Sequence, residues 1–546
     1  MSRSNEGKSS MQAELTLSPK DLQTHSWSQD GLHFGHPLSP LFASYMVPAM
    51  TEGTRLAMGA LKAPLRQFIG KIHDGYYYQA VVPAEGDPQA IMKAHERVLE
   101  PLMGRQHAVF QTIVEEELWP LHHEIDQLSD GIQTFSDAIG ALTRLQAIYF
   151  KFWDLHFRVV LGRATAGLGF EQVYHAAFPD RNPAEAYDLL LGTMNKSLEQ
   201  DRALWQLATV SKANAHVLLA FSADKVYPAL LKDPLTLEFR QALRQYLDIY
   251  GWRTHYVHEF LHETWRENPE YCLTVLKGYL YQEFDFDAHW QSVVATRERK
   301  VDEALAQIAD PTMKATFRLA HQNALEAWSI DEDHHFYIDA MLPARSRTLL
   351  LKIGDLLVHG GVIEVPQDIF FFYLDELLET LDGEKLSNPR DLIATRRREL
   401  AAQFDRTPPP QLGLAHSPEP NLIGTRVFGE GSPGLQGATR EVRGFSASPG
   451  RHVGPARIIR GPEEFFKIKP GDVLVCRNTA PAWTGLFATV GAVITETGGI
   501  LSHAATVARE YHLPCIVGTR EATRVFHDGD RVVVDGTKGI AVVDDG

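Results

Sequence analysis

Thr495-Glu-Thr-Gly-Gly-Ile-Leu-Ser-His-Ala-Ala-Thr-Val-Ala-Arg-Glu-Tyr-His-Leu-Pro-Cys-Ile-Val-Gly-Thr519 reads as a strand end, a glycine turn and a helix in succession. The apolar run Gly491-Ala-Val-Ile494 leads into Gly498-Gly499, and Ser502 to Tyr511 is helix-compatible with His503 in its first turn. Free backbone N–H groups and the positive end of the dipole favour an anion at a helix start. A neutral imidazole is nucleophilic near pH 7, which makes His503 the candidate to hold a phosphoryl group on a ring nitrogen. Ser502 is the N-cap or a phosphate ligand, and Thr495 a hydrogen-bond partner for the imidazole. Gly498 and Gly499 let backbone approach a phosphate closely. The plain alternative is a surface histidine beside an ordinary glycine turn.

The flanking residues favour the first reading. Through Thr495, Gly498, Gly499, Ser502, His503, Ala504, Ala508, Arg509, Glu510, Pro514 and Gly518, the string resembles the signature of the phosphohistidine swivelling domain of the phosphoenolpyruvate-utilising enzymes. The likeness is close over about residues 440–546 and looser over the helical part of the chain. Arg509 lies about two helical turns beyond His503, a spacing that suits a structural ion pair better than a phosphate contact.

Working outward, short β-branched runs separated by glycines flank the string: Gly454-Pro-Ala-Arg-Ile-Ile, Gly471-Asp-Val-Leu-Val-Cys, Pro514-Cys-Ile-Val-Gly and Arg531-Val-Val-Val-Asp-Gly. They predict a compact C-terminal α/β domain of the β/β/α kind over 444–546. Residues 405–443, opening on Pro408-Pro409-Pro410 and rich in Pro, Gly and Ser, read as a flexible linker. About 35 residues of such coil reach on the order of 30 to 35 Å, enough to swing a small domain between two sites.

Upstream, the pattern from Pro88 to Gln403 is overwhelmingly helical, as in Phe135 to Phe150 and Leu235 to Tyr250, where apolar residues recur at three- and four-residue intervals. The fold class expected is multidomain: a mainly α-helical substrate-binding domain over 21–404, then the α/β swivelling domain. Residues 1–20 read as a disordered tail. Asp74-Gly-Tyr-Tyr-Tyr-Gln-Ala-Val-Val is a β-prone stretch, either core or ligand-facing, and Trp27 to Pro40 is an irregular candidate binding segment.

The balance of 53 basic against 69 acidic residues gives a formal charge of −16, which disfavours nucleic acid and anionic membrane as partners. Apolar runs are broken by charge, so no membrane span is expected, and the N-terminus lacks the apolar core of a signal peptide. Three widely spaced cysteines, Cys272, Cys476 and Cys515, fit a reducing cytoplasm.

Two further constellations carry polar chemistry. His258-Glu-Phe-Leu-His262 matches the H-E-x-x-H pattern in which a helix aims two imidazoles at one zinc, with His255, Glu263 or His334-His335 as further ligands in principle. A zinc metallohydrolase is the alternative of another class. The longer phrase from Tyr250 to Pro269 resembles instead the helical substrate domain of the same family, which leaves Arg253, His258, Glu259 and His262 as candidates to bind or deprotonate substrate, and no metal is assigned. The second constellation, Ser329-Ile-Asp-Glu-Asp-His-His, supplies Asp333 and His334 as candidate general bases, against the plainer reading of a solvated acidic helix start.

The resemblance also implies a division of labour. No glycine-rich P-loop or ATP-grasp pattern is visible, so ATP and Mg²⁺ are expected on a separate ATP-grasp subunit that phosphorylates His503 with release of AMP and phosphate. A helical domain followed by the arm looks most like the large subunit of phenylphosphate synthase and 4-methylbenzyl phosphate synthase, and more distantly like rifampin phosphotransferase. The implied acceptor is the hydroxyl of a small aromatic compound of the phenol, cresol or benzyl alcohol type, the runner-up a rifampin-type antibiotic. Trp27, Phe34, Tyr76 to Tyr78, Trp252 and Trp265 could line an apolar pocket for such a ring, or simply fill the core.

Overall fold

The computed structural model describes residues 9–254, 256–281, 283–384, 388–404, 406–415, 424–429, 431–432 and 440–544. The chain forms two compact units: residues 1–162, 257–262 and 337–418 in the first, residues 163–256, 263–336 and 419–546 in the second. The helical stretch contributes to both, because the helix Phe135–Ala177 runs through the boundary.

In the first unit, helices that include Pro40–Leu61, Trp119–Gly131 and Met341–His359 accompany a small antiparallel sheet. Its strands are β1 (Ser26–Gln29), β2 (Leu65–His73), β3 (Tyr76–Pro83) and β4 (Gln411–Gly413), in the order β2-β3-β1-β4. Asp74 and Gly75 form the two-residue turn of the β2-β3 hairpin, both with positive φ, the conformation that matches strand twist in tight hairpins. The three tyrosines that follow are 0–1% exposed, so the β-prone stretch is core. Trp27 and Phe34 are buried as well.

In the second unit, helices such as Lys196–Ser211, Leu237–Tyr250, Glu270–Leu280 and Phe286–Gln307 carry the C-terminal sheet domain. That domain contains β5 (Glu441–Arg443), β6 (Phe445–Ser448), β7 (Arg451–Ile459), β8 (Val473–Cys476), β9 (Ala492–Thr495), β10 (Cys515–Val517), β11 (Arg531–Asp535) and β12 (Ile540–Val543). The strand order is β5-β12-β11-β7-β8-β9-β10-β6, parallel from β7 to β10 and antiparallel at both flanks. The chain is thus multidomain, mainly helical, with a C-terminal α/β domain as expected. One face of the sheet closes over its own core of Val442, Val475, Ile494 and Val534. The other shares a core with the helices, where Leu276 and Tyr279 join Leu474, Ala505 and Tyr511. Trp265 is 2% exposed within that core, so Trp265, like Trp27, Phe34 and the tyrosines, fills space rather than lining an open pocket.

Of the expected linker 405–443, residues 405, 416–423, 430 and 433–439 lie outside the described residues, as does the tail 1–8. The described part includes β4, which pairs with β1, and the helical turn Gly424–Phe428. All three cysteines are buried free thiols. Among the described residues no helix is long and apolar enough to cross a membrane.

Candidate functional site

The histidine helix runs from His503 to Glu510, with Ser502 as its N-cap in extended conformation. β9 ends at Thr495, and Gly498 adopts a φ of 92°, which turns the chain sharply into the helix. Gly499 has a different reason to be glycine. A Cβ there would lie 2.3 Å from the Arg426 carbonyl oxygen and 2.5 Å from that of Thr425, so the close approach the glycine allows here is to backbone. The Arg426 carbonyl accepts the Leu501 N–H at 2.8 Å, and its guanidinium pairs with Glu171, holding the turn from outside.

His503 is 9% exposed. Its Nδ1 lies 2.9 Å from Oε1 of Glu332, and Oε2 of the same carboxylate accepts the Ser197 hydroxyl at 2.6 Å. Ser197 Oγ in turn accepts from Arg253 Nη2 at 3.3 Å, and Arg253 Nε donates to Gln200 Oε1 at 2.8 Å. The relay Gln200–Arg253–Ser197–Glu332–His503 fixes the imidazole from behind. A carboxylate has no proton to donate, so Nδ1 carries the hydrogen and Nε2 the lone pair in the neutral ring. Nε2 is buried and meets no hydrogen-bonding partner among the described residues. The hydroxyls of Ser502 and Thr506 are likewise buried and unpartnered among them. Thr506 lies one turn on from His503, on the same face of the helix.

The charges around this centre are set by burial and pairing. Burial by itself raises the Glu332 carboxyl, but the His503 imidazole, by charge and hydrogen bond, outweighs it and holds that carboxyl well below the usual range. The next residues behave differently. Burial raises Asp331, with the Arg163 guanidinium at 3.0 Å acting against it, and raises Asp333 to about 7. Glu510, at the far end of the histidine helix, is also pushed up to about 7 by burial, and its carboxylate accepts the Gly192 N–H at 3.0 Å. Tyr511 donates to the buried Asp201 carboxylate. Together with His503–Glu332, these contacts seat the C-terminal domain on the helices of the same unit.

The other sequence candidates fall elsewhere. Thr495 does not reach the imidazole: its hydroxyl donates to the Thr497 carbonyl at 2.9 Å. Ser502 caps by position only, since its side chain accepts no N–H. Arg509 makes no ion pair among the described residues; its Nη1 donates to the Ala447 and Ile500 carbonyls. Asp333 accepts the Lys196 backbone N–H at 2.7 Å, and His334 Nδ1 bonds the Ile330 carbonyl within its own helix. The acidic segment is therefore buried structure, not a solvated helix start. Trp252 is half-buried beneath the Arg266 guanidinium at 4.4 Å.

The H-E-x-x-H residues belong to the first unit, and residues 256–266 are non-helical, so the premise of two imidazoles on one helical face fails. Glu259 instead accepts from Ser39 N and Oγ and from the N–H groups of Phe260 and Leu261. Its carboxyl is raised to about 7, burial exceeding the effect of those donors. The His258 ring packs on Phe34 and Trp153. Among the described residues neither His258 nor His262 joins two other His, Cys, Asp or Glu side chains close enough to share an ion, and His255 lies outside the described residues.

Glu332 and Ser197, which complete the site, escaped the sequence reading. Glu332 sits one place before the acid that was singled out, and only its fold neighbours distinguish it.

Residues 468–539, which contain His503, match the model of the PEP-utilising enzyme mobile domain, and residues 157–329, which contain Ser197 and Arg253, match the rifampicin phosphotransferase fourth domain. The chain is a relative of the PEP-utilising enzymes. It is 34% identical over 512 residues to the uncharacterized phosphotransferase YvkC of Bacillus subtilis (strain 168), covering 92% of this chain and 60% of that protein. It is 30% identical over 545 residues to chondramide synthase cmdD of Chondromyces crocatus, covering 95% of this chain but 14% of that one. A rifampicin phosphotransferase of Streptomyces sp is 27% identical over 363 residues, 63% of this chain and 39% of that protein. The chain thus spans less than two thirds of the length of these relatives.

Proposed function

We propose that the chain is the phosphohistidine-carrying part of a phosphotransferase of the rifampicin phosphotransferase type, with Nε2 of His503 as the atom that carries the phosphoryl group. The observation that supports this is the Nδ1 hydrogen bond to Glu332, which leaves the lone pair on a buried, unpartnered Nε2. Loading consumes ATP and water and yields phospho-His503, AMP and phosphate, with Mg²⁺ and ATP held by a separate ATP-grasp subunit. In delivery, the P–N bond breaks as an acceptor hydroxyl oxygen takes the phosphoryl group, the hydroxyl proton leaves, and Nε2 recovers its lone pair.

In the seated position His503 is enclosed by the helices of its own unit, so loading by another subunit requires the C-terminal domain to leave. The seated position is then the delivery position, and the relay behind Glu332 orients the ring for it. The acceptor is the hydroxyl of a small aromatic compound, following the resemblance to phenylphosphate synthase. A second reading, an antibiotic macrocycle, is favoured by the match of residues 157–329 to the rifampicin phosphotransferase domain. Incubation with an ATP-grasp subunit, labelled ATP and panels of phenols, benzyl alcohols and rifamycins separates them by which compound acquires label. Label on no hydroxyl compound, with His503 charged, would contradict the transferase reading.

A further inference from the structure

Arg509 projects from another face of the histidine helix, about 240° around the axis from His503. It is 5% exposed, and while Nη1 is spent on two carbonyls, Nε and Nη2 have no partner among the described residues. A guanidinium buried without a matching acceptor is costly, and its Nε–Nη2 edge is the fork that fits an oxyanion through two parallel hydrogen bonds.

Arg509 lines a cavity of about 90 Å³. Ser448 and His512 join it from the C-terminal domain, and Asp188, Arg297 and Lys300 line it from the helical side of the same unit. Lys300 pairs with Asp188 at 3.0 Å. Arg297 donates Nη1 to the Leu191 and Gly192 carbonyls, and its Nη2 stands 3.7 Å from the exposed Glu298. Three cations thus face the cavity against one lining carboxylate, Glu510 being turned to the Gly192 N–H. His512 adds no charge at neutral pH, its pKa being lowered by burial and by His289 and Lys300.

We infer that this cavity binds a small oxyanion of the phosphate class, with Arg509 as its bidentate ligand and Arg297 and Lys300 completing the charge. The volume suits a single phosphate group better than a nucleotide. Because the walls come from both the C-terminal domain and the helices, the site is whole only when that domain is seated. An anion there acts as a latch: at about 100 times its Kd it shifts the equilibrium toward the seated domain by about 100-fold. The binding step stands independently of the function proposed for His503.

The test uses the full chain and inorganic phosphate, followed by titration calorimetry and by hydrogen exchange of the amides from Thr506 to His512. The expected result is saturable binding with Kd below about 1 mM, equal in wild type and His503→Ala, weakened at least about tenfold (roughly 1.4 kcal/mol) in Lys300→Glu, and accompanied by slower exchange. Arg509→Gln, with its fold checked by circular dichroism, is expected to abolish binding. Three results would overturn the assignment: no saturable binding, binding lost in His503→Ala, or full affinity in Lys300→Glu. Tighter binding of AMP than of phosphate would overturn the free-phosphate assignment, and binding without slower exchange would overturn the latch.

Discussion

Oε1 of Glu332 lies 2.9 Å from Nδ1 of His503, two buried side chains 171 positions apart in sequence. The contact fixes the tautomer and the direction of the ring at once, which is what a carboxylate behind a nucleophilic imidazole contributes in other sites. Glu332→Gln keeps the shape but removes the acceptor-only character of the group. Transfer to the proposed hydroxyl acceptor is expected to fall by roughly 10- to 100-fold, while labelling of His503 by an ATP-grasp partner, proposed to occur with the domain unseated, is expected to stay near wild type. Separate single-turnover assays of the two half-reactions check this; equal loss in both would contradict it.

Arg253 supports the same carboxylate through Ser197. In Ser197→Ala the Oε2 atom of Glu332 loses its donor and the guanidinium an acceptor, and a loss of about 1 to 3 kcal/mol in stability is expected. Thermal unfolding followed by calorimetry measures it, and an unchanged transition would show that the relay carries no strain-free pairing of consequence.

Burial raises Asp333 to about 7, above its ordinary value of 3.8. In that window the folded state holds the proton more tightly than the unfolded chain, so this residue contributes stability below about pH 4 that is lost as pH rises through 7. Asp333→Asn is therefore expected to raise the Tm at pH 8 by about 2 to 4 °C, for roughly 1 kcal/mol, and to leave it unchanged near pH 3.5. Melting curves at the two pH values decide the sign.

Gly499 stands against the carbonyls of Thr425 and Arg426. Gly499→Ala forces that backbone apart and is expected to cost about 1 to 3 kcal/mol, with slower transfer from His503 as the turn shifts. An alanine tolerated in both stability and transfer would mean that the close approach is not kept in solution.

Ser39 gives the buried Glu259 carboxylate both its hydroxyl and its N–H. Ser39→Ala is expected to destabilise the first unit by about 1 to 3 kcal/mol without altering the labelling of His503, because the H-E-x-x-H segment serves structure there. A loss of labelling would return that segment to the chemistry.

The strand, glycine turn and helix around His503 were legible because each is a local pattern: an apolar run, a residue free to take positive φ, and a cap position. The histidine's surroundings were not. Glu332 lies in an acidic run that reads as solvated, since charges are rarely buried unless paired, and its pair is 171 residues away. Thr495 is a different case: it looked like an imidazole partner, but its hydroxyl is taken up locally, by the carbonyl two residues on. His258 and His262 are the converse case: the five-residue pattern, to which no metal was assigned, aims two imidazoles at one ion only on a helix, and the chain there is held in turns, with the Glu259 carboxylate capped by Ser39. The tyrosines Tyr76 to Tyr78 were readable as strand but not as core, because a strand's buried face depends on what packs on it.

The central claim is that His503 carries the phosphoryl group on Nε2. Phosphorylation of the full chain by an ATP-grasp subunit, followed by ³¹P NMR and acid-lability measurements, tests it most directly. The account predicts an acid-labile phosphoramidate with the chemical shift of the Nε2 isomer, absent in His503→Ala. Label retained in His503→Ala, or found on Nδ1, would contradict it.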